Sequence, residues 1–249
     1  MSAALMMVLL ATMVATSFLS GIFGMAGGMI LMGVLLALLP LPAAMALHAV
    51  TQIASNGWRG VLWIAHVRWR AAAAYIIGCL LALTVWAFVL YVPSKPVALL
   101  ALGITPFMLL LLPDNLKPDP ENLIHGAFYG AACMTLMLLT GVAGPLVDSY
   151  FLGGRLNRKE IVATKAICQI FGHGAKLVYF GGLIEQATSV DPWLVGCVVV
   201  ASMVGTALAK PVLERLSDTD YRTWAKRIIT TIACAYLVQG SYLIAASGL

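Results

Sequence analysis

Charge is what this chain has least of. Lys, Arg, Asp and Glu together make up 10% of its 249 residues, where a soluble domain carries about a quarter. With 61% hydrophobic residues and a mean hydropathy of +0.96, a soluble globular domain is excluded. Each helix crossing a ~30 Å hydrocarbon core takes about 20 residues, so nearly the whole length is needed for membrane spans. Enzyme motifs are lacking too. The sequence contains no HExxH, no GxSxG and no GxxxxGK, which argues against metalloprotease, hydrolase and ATPase chemistry. The chain is therefore not an enzyme, and it must use gradients, passive flux or a partner for energy. No CxxC pair occurs. Cys79, Cys133, Cys168, Cys197 and Cys234 are scattered singly through apolar segments, so neither a zinc site nor a dithiol centre is expected, and no cofactor or metal. The start also has no cationic run of the kind that opens a cleaved signal peptide. Its apolar stretch is expected to be retained as a first segment.

What is present is a duplication. Residues 24–61, GMAGGMILMGVLLALLPLPAAMALHAVTQIASNGWRGV, return without a gap as residues 141–178, GVAGPLVDSYFLGGRLNRKEIVATKAICQIFGHGAKLV. This register pairs Gly24 with Gly141, Gly27 with Gly144, Gln52 with Gln169 and Gly57 with Gly174, and it sets Arg59 against Lys176. About eleven of thirty-eight positions are identical, against roughly three by chance, which marks two related halves. In an apolar chain, matching segments interrupted by Gly and Pro point to a transporter binding site.

Read in order, residues 3–39 are too long for one crossing and are interrupted at Gly24, so a hairpin or broken helix is expected. Further segments follow at 43–65, 71–92 and 97–112. The Pro-rich polar link PDNLKPDPEN, residues 113–122, ends the first repeat at 112. The second repeat, 123–249, has a broken element at 123–153 and then segments at 159–181, 193–210 and 225–247. Basic residues concentrate on the cytoplasmic side of a membrane protein. That places HVRWR (66–70), the Pro-rich link (113–122), GGRLNRKE (153–160) and ERLSDTDYRTWAKR (214–227) inside, and Pro93-Ser94-Lys95 and the acidic loop EQATSVD (185–191) outside. The expected fold is all-α and polytopic, with two inverted-topology repeats and about 8–10 transmembrane segments. The net charge of +5 is topological on this reading. No nucleic acid is expected as a partner; a lipid bilayer and a small anion are.

An intramembrane charge costs roughly 2.5–3.5 kcal/mol on insertion scales, so one that persists usually faces a cavity or a partner. Arg59, Lys165 and Lys176 are so placed. His48, Gln52, Ser55 and Arg59 follow helical spacing and share one stripe, with Thr51 and Asn56 close by. Lys165, Gln169, Gly172 and Lys176 form the matching stripe, with His173 at its edge. The stripes carry cations and neutral hydrogen-bonding groups and no acid, which suits a small oxyanion. Helix N-termini at the Gly-rich breaks favour negative charge as well. The bland readings are that Arg59, Lys176 and Lys165 snorkel to the interface and that the amides and glycines merely join helices. Asp148, the one acid well inside an apolar stretch, reads equally as a proton relay or as a structural partner of Lys165 or Lys176. His173 reads as a titrating group or as a satisfied core histidine.

At GMAGG…HAVTQIASNG and GVAGP…TKAICQIFGHG the sequence resembles the sulfite exporter TauE/SafE family of bacterial inner-membrane permeases, over nearly the whole chain. The first break departs from the fuller GxGGG form of that family, and the second carries Pro145. The resemblance implies export or uptake of small sulfur-containing anions, such as sulfite or organosulfonates like sulfoacetate, across the cytoplasmic membrane, with a homodimer plausible. The binding residues expected from the stripes and breaks are Arg59 and Lys176 to neutralise the anion and Gln52 and Gln169 to orient it. His48, Thr51, Asn56, Lys165 and His173 stand around it, and Gly24, Gly27, Gly141 and Gly144 permit close approach. The rival readings are a membrane redox carrier, an assembly partner without a substrate and a passive anion channel. The redox carrier is disfavoured because Cys168 corresponds to Thr51.

Overall fold

The structure is a computed structural model that describes residues 3–24, 26–91, 93–110, 118–152, 154–180 and 192–247. Among these residues it contains ten α-helices, one short 3-10 turn and no strand. In chain order the helices are α1 (Ala3–Phe23), α2 (Ala26–Leu38), α3 (Leu41–Leu62), α4 (Trp69–Val89), α5 (Lys95–Leu110), α6 (Leu123–Thr140), α7 (Gly144–Leu152), α8 (Arg158–Val178), α9 (Pro192–Arg215) and α10 (Asp218–Ser247). The long apolar segments at 3–39 and 123–153 are both broken helices, as α1–α2 and α6–α7. The acidic loop 185–191 and residues 113–117 of the link lie outside the described residues.

Local signals account for the boundaries. Helix α3 starts behind Pro40 with Pro42 in its first turn, where a missing N–H does no harm. Helix α6 is capped by the Asn122 side chain, which accepts from the Ile124 and His125 amides, and it ends at Gly141 with φ 81°. Helix α8 opens with a capping box, the Asn157 side chain accepting from Glu160 N–H while the Glu160 side chain accepts from Asn157 N–H. Helix α10 begins earlier than the segment at 225–247. Ser217 Oγ accepts from Asp220 N–H at 3.0 Å, and Asp218 and Asp220 favour the positive N-terminus of the helix. Most of the stretch 214–227, expected as a loop, is therefore helix.

Among the described residues five helices are long and apolar enough to cross a membrane: Met6–Phe23, Trp69–Val89, Leu123–Thr140, Trp193–Arg215 and Asp218–Ala246. The protein is an all-α, polytopic membrane protein. Helices α3 and α8 are as long, but their polar stripes interrupt the apolar run. Helix α1 packs along α9, α6 along α4, α5 along α10, and α3 against α8. The crossings are close because small residues meet backbone, as membrane helices without a hydrophobic drive to associate require. Space for a side chain at Gly78 is taken by Ala127 O, at Gly130 by Tyr75 O and at Gly205 by Val14 O. Gly78 meets Ala127 while Tyr75 meets Gly130, so α4 and α6 run antiparallel. Gly103 meets Leu237 and Gly240 meets Leu100, so α5 and α10 do too.

The distribution of polarity is inverted relative to a soluble protein. Phe88, Ile124, Phe128 and Val238 are exposed on the outside, while Arg59, Lys165, Lys176, His48 and Gln52 are fully buried. An apolar exterior suits lipid, and buried charge requires partners in the interior.

Candidate functional site

Helices α3 and α8 cross antiparallel at the centre, and their two polar stripes face each other. His48 on α3 meets Lys176 on α8, Nζ to Nδ1 at 2.9 Å, and Arg59 Nη2 donates to Gln169 Oε1 at 3.2 Å. Each stripe also reaches a break. Gly24 (φ 86°) and Gly141 (φ 81°) are left-handed, a conformation that costs an L-residue roughly 1–2 kcal/mol. Arg59 Nη1 donates to Gly24 O at 3.1 Å and to Ser20 O. Lys176 Nζ donates to Gly141 O at 2.8 Å. Gly24 and Gly141 are buried, and a helix ending in a buried interior leaves carbonyls that no bulk water can satisfy. A cation from each stripe does so at each break, where the negative end of the helix dipole also favours it.

The remaining polar groups join these two centres. Arg59 Nη2 also donates to Asn56 Oδ1, and Asn56 Nδ2 donates to Gln52 O at 2.7 Å. His48 Nε2 bonds Gly28 O at 2.9 Å. That carbonyl can only accept, so Nε2 carries the proton and Nδ1 receives the Lys176 hydrogen bond. The His48 and His173 rings lie 5.3 Å apart. Lys165 forms an ion pair with Asp148 on α7. The partners of Arg59 and Lys176, by contrast, are all neutral. Among the described residues the interior thus holds three buried cations against one buried acid. Buried polar atoms without a partner here are Gln52 Nε2, Arg59 Nε and His173 Nδ1. The arrangement can hold a small anion by charge and by free donors while leaving the helix ends capped.

Most of the stripe residues expected from the sequence converge, but some are committed elsewhere. Thr51 Oγ1 donates to Leu47 O of its own helix at 2.8 Å, and Ser55 pairs with Thr206 Oγ1 on α9 at 2.7 Å. Gly144 opens α7. The close approach at Gly27 is that of α1: Thr16 O and Ser20 Oγ fill the space of a side chain. The snorkelling alternative does not apply, because Arg59, Lys165 and Lys176 are each no more than 1% exposed.

The sequence matches the family model described as sulfite exporter TauE/SafE over residues 8–237. The chain belongs to the sulfite exporter TauE/SafE family. No curated protein and no solved structure matches it. Membership of the TauE/SafE family implies a membrane transporter of sulfite-type anions and a multi-pass membrane protein, and the excess of buried positive charge is what such cargo needs. Sequence reasoning overlooked one part of this TauE/SafE interior, the buried run Thr16, Ser17 and Ser20 on α1. Three small hydroxyl residues within five positions of an apolar helix were the available signal.

Proposed function

We propose that the protein exports small sulfur-containing oxyanions, sulfite or organosulfonates such as sulfoacetate, across the bacterial cytoplasmic membrane by alternating access. One observation carries this reading: Arg59 and Lys176 are buried, and every partner that either has is neutral. Their charge stays uncompensated until an anion arrives. The binding site would lie between them, with Lys165 adding positive charge beside Arg59 at the Gly24 end, Gln52, Gln169 and His173 supplying neutral hydrogen bonds, and His48 and Asn56 holding the cations in place. Inversion of the halves 1–112 and 123–249 is supported by the antiparallel crossing of α3 with α8 and of α5 with α10, the pairs that the internal duplication sets in correspondence. Rocking one half against the other would open the site to each side in turn. A homodimer would leave this site within each subunit.

The experiment is uptake of labelled sulfite, sulfoacetate and sulfate into proteoliposomes, comparing wild type with Arg59→Gln and Lys176→Gln. Saturable flux of a sulfur oxyanion, with counterflow, that both substitutions reduce at least tenfold in folded protein is the expected result. Flux equal to that of empty liposomes would overturn the transport reading. Non-saturable flux would replace the carrier with a channel.

A further inference from the structure

The internal duplication holds for Arg59 and Lys176 and for the glycine breaks, and it fails at the ion pair. Asp148 corresponds to Leu31, and its partner Lys165 corresponds to His48. The ion pair is therefore present in the second half alone, and Asp148 is the single buried acid among the described residues. The pair has no counterpart in the scaffold that the two halves share.

Its position ties it to the proposed anion site. The pair comes from α7 and α8 of the second half but lies over Gly24, the break of the first. A side chain at Gly24 would collide with Lys165 Nζ, stand 3.0 Å from Lys165 Cε and stand 3.9 Å from Asp148 Oδ1. On the other side of that glycine Arg59 Nη1 holds its carbonyl at 3.1 Å. Two cations and one carboxylate thus meet at one left-handed residue, with a net charge of +1. The other titratable groups around it are few. Tyr221 of α10 stacks on Phe23 beside the break, with ring centroids 6.3 Å apart, and Cys168 and His173 follow Lys165 along α8. Helix α6 contributes Tyr129 and α4 contributes Tyr75, both stacked on Tyr150 of α7, and Arg222 of α10 donates to Leu152 O at the end of α7 at 2.6 Å. Helix α2 carries no titratable group, and α5 carries Lys95 alone, at its first position.

We propose that Asp148 is the proton-binding residue that couples anion movement to protons. The inference rests on the transport reading above. Asp148 takes a proton from the aqueous phase and becomes a neutral carboxylic acid. Lys165 then loses its counter-ion, and the cluster at Gly24 carries +2, held by Lys165 and Arg59. A monovalent anion that joins these two cations restores the net charge to +1. Proton and anion therefore favour each other's binding by the same free energy, as linkage requires. Releasing the anion re-forms the ion pair as Asp148 gives up its proton. For a monovalent anion the cycle is an electroneutral proton–anion symport, which exports when the cytoplasmic excess of anion outweighs the inward proton gradient and runs inward otherwise, and it opens and closes a tie between the second half and the break of the first.

The test uses full-length protein in proteoliposomes with labelled sulfite. Wild type is expected to perform counterflow at equal pH and, with the outside acid by one unit, to accumulate sulfite towards about tenfold, the limit for one proton per anion. Asp148→Asn is expected to keep counterflow and lose accumulation. Titration of sulfite itself is common to both proteins, so the difference reads Asp148 alone. If Asp148→Asn does not give folded protein, carbodiimide modification of wild type decides. Peptide mapping should find the adduct on Asp148, increasing with acidity and abolishing accumulation. Accumulation by Asp148→Asn equal to wild type, accumulation that ignores the gradient, or carbodiimide that leaves Asp148 unmodified or accumulation intact overturns the coupling. Absence of wild-type counterflow overturns the transport reading instead.

Discussion

The breaks at Gly24 and Gly141 are one backbone solution in two different surroundings. Both glycines are left-handed, and in both a cation from the neighbouring polar stripe donates to the glycine carbonyl. What covers them differs. Over Gly24 lies the Lys165–Asp148 ion pair, and over Gly141 lie the thioether ends of Met45 and Met32. The capping recurs because a helix that stops in a buried interior leaves carbonyls with no water to bond. The covering is free to diverge, since it is a matter of side chains alone. The duplicated scaffold keeps its backbone device twice and places titratable chemistry on one copy.

The largest test of this contrast is a pair of substitutions, Gly24→Ala and Gly141→Ala. Both force an L-residue into the left-handed region at roughly 1–2 kcal/mol. At Gly24 the new methyl also displaces a buried ion pair, raising the total to on the order of 3–5 kcal/mol. At Gly141 it meets flexible methionine side chains that can move aside. Thermal unfolding in detergent should therefore show a clearly larger loss for Gly24→Ala, and equal losses would break the comparison.

Next in size is an attempt to build the missing pair in the first half. Leu31→Asp alone places an acid in a fully buried position, at about 2.5–3.5 kcal/mol. Adding His48→Lys supplies the partner that the second half has, so the double variant should unfold at a higher temperature than Leu31→Asp. A double variant no more stable than the single would show that the two surroundings are not geometrically equivalent. Smaller again is the loss of a cap. Arg59→Gln and Lys176→Gln should each cost roughly 1.5–3 kcal/mol. The Arg59 loss should be the larger, because that guanidinium serves four acceptors whereas Lys176 serves two. The smallest effect is expected away from both breaks. Arg68 pairs with Glu160 at 2.6 Å, but its side chain is 54% exposed, so Arg68→Ala should shift stability by no more than about 1 kcal/mol.

Much of the site was legible as pattern. The spacing of His48, Gln52 and Arg59 put them on one face of α3, and the duplicated spacing of Lys165, Gln169 and Lys176 did the same on α8. What each side chain holds was not legible, because a helical period gives direction and no partner. Ser55 shared the stripe and turned to Thr206. Asp148 left two partners open, and only the approach of α7 to α8 selected Lys165. The long helix α10 was underestimated because its first turns are polar, although the cap at Ser217 and the acids behind it mark a helix start.

Composition and periodicity alone determined that the chain is an apolar, all-helical membrane protein, broken at Gly24 and Gly141 and polar along α3 and α8. Such features follow from transfer free energy and helix geometry, which act residue by residue. Only the tertiary structure decided that the stripe cations cap the two breaks, that one lysine is neutralised while Arg59 and Lys176 are not, and that the ion pair of one half rests on the break of the other. Those outcomes depend on which helix ends approach one another inside the bundle, a relation between separate helices, up to Gly24 and Lys165 from the two halves, that no local pattern encodes.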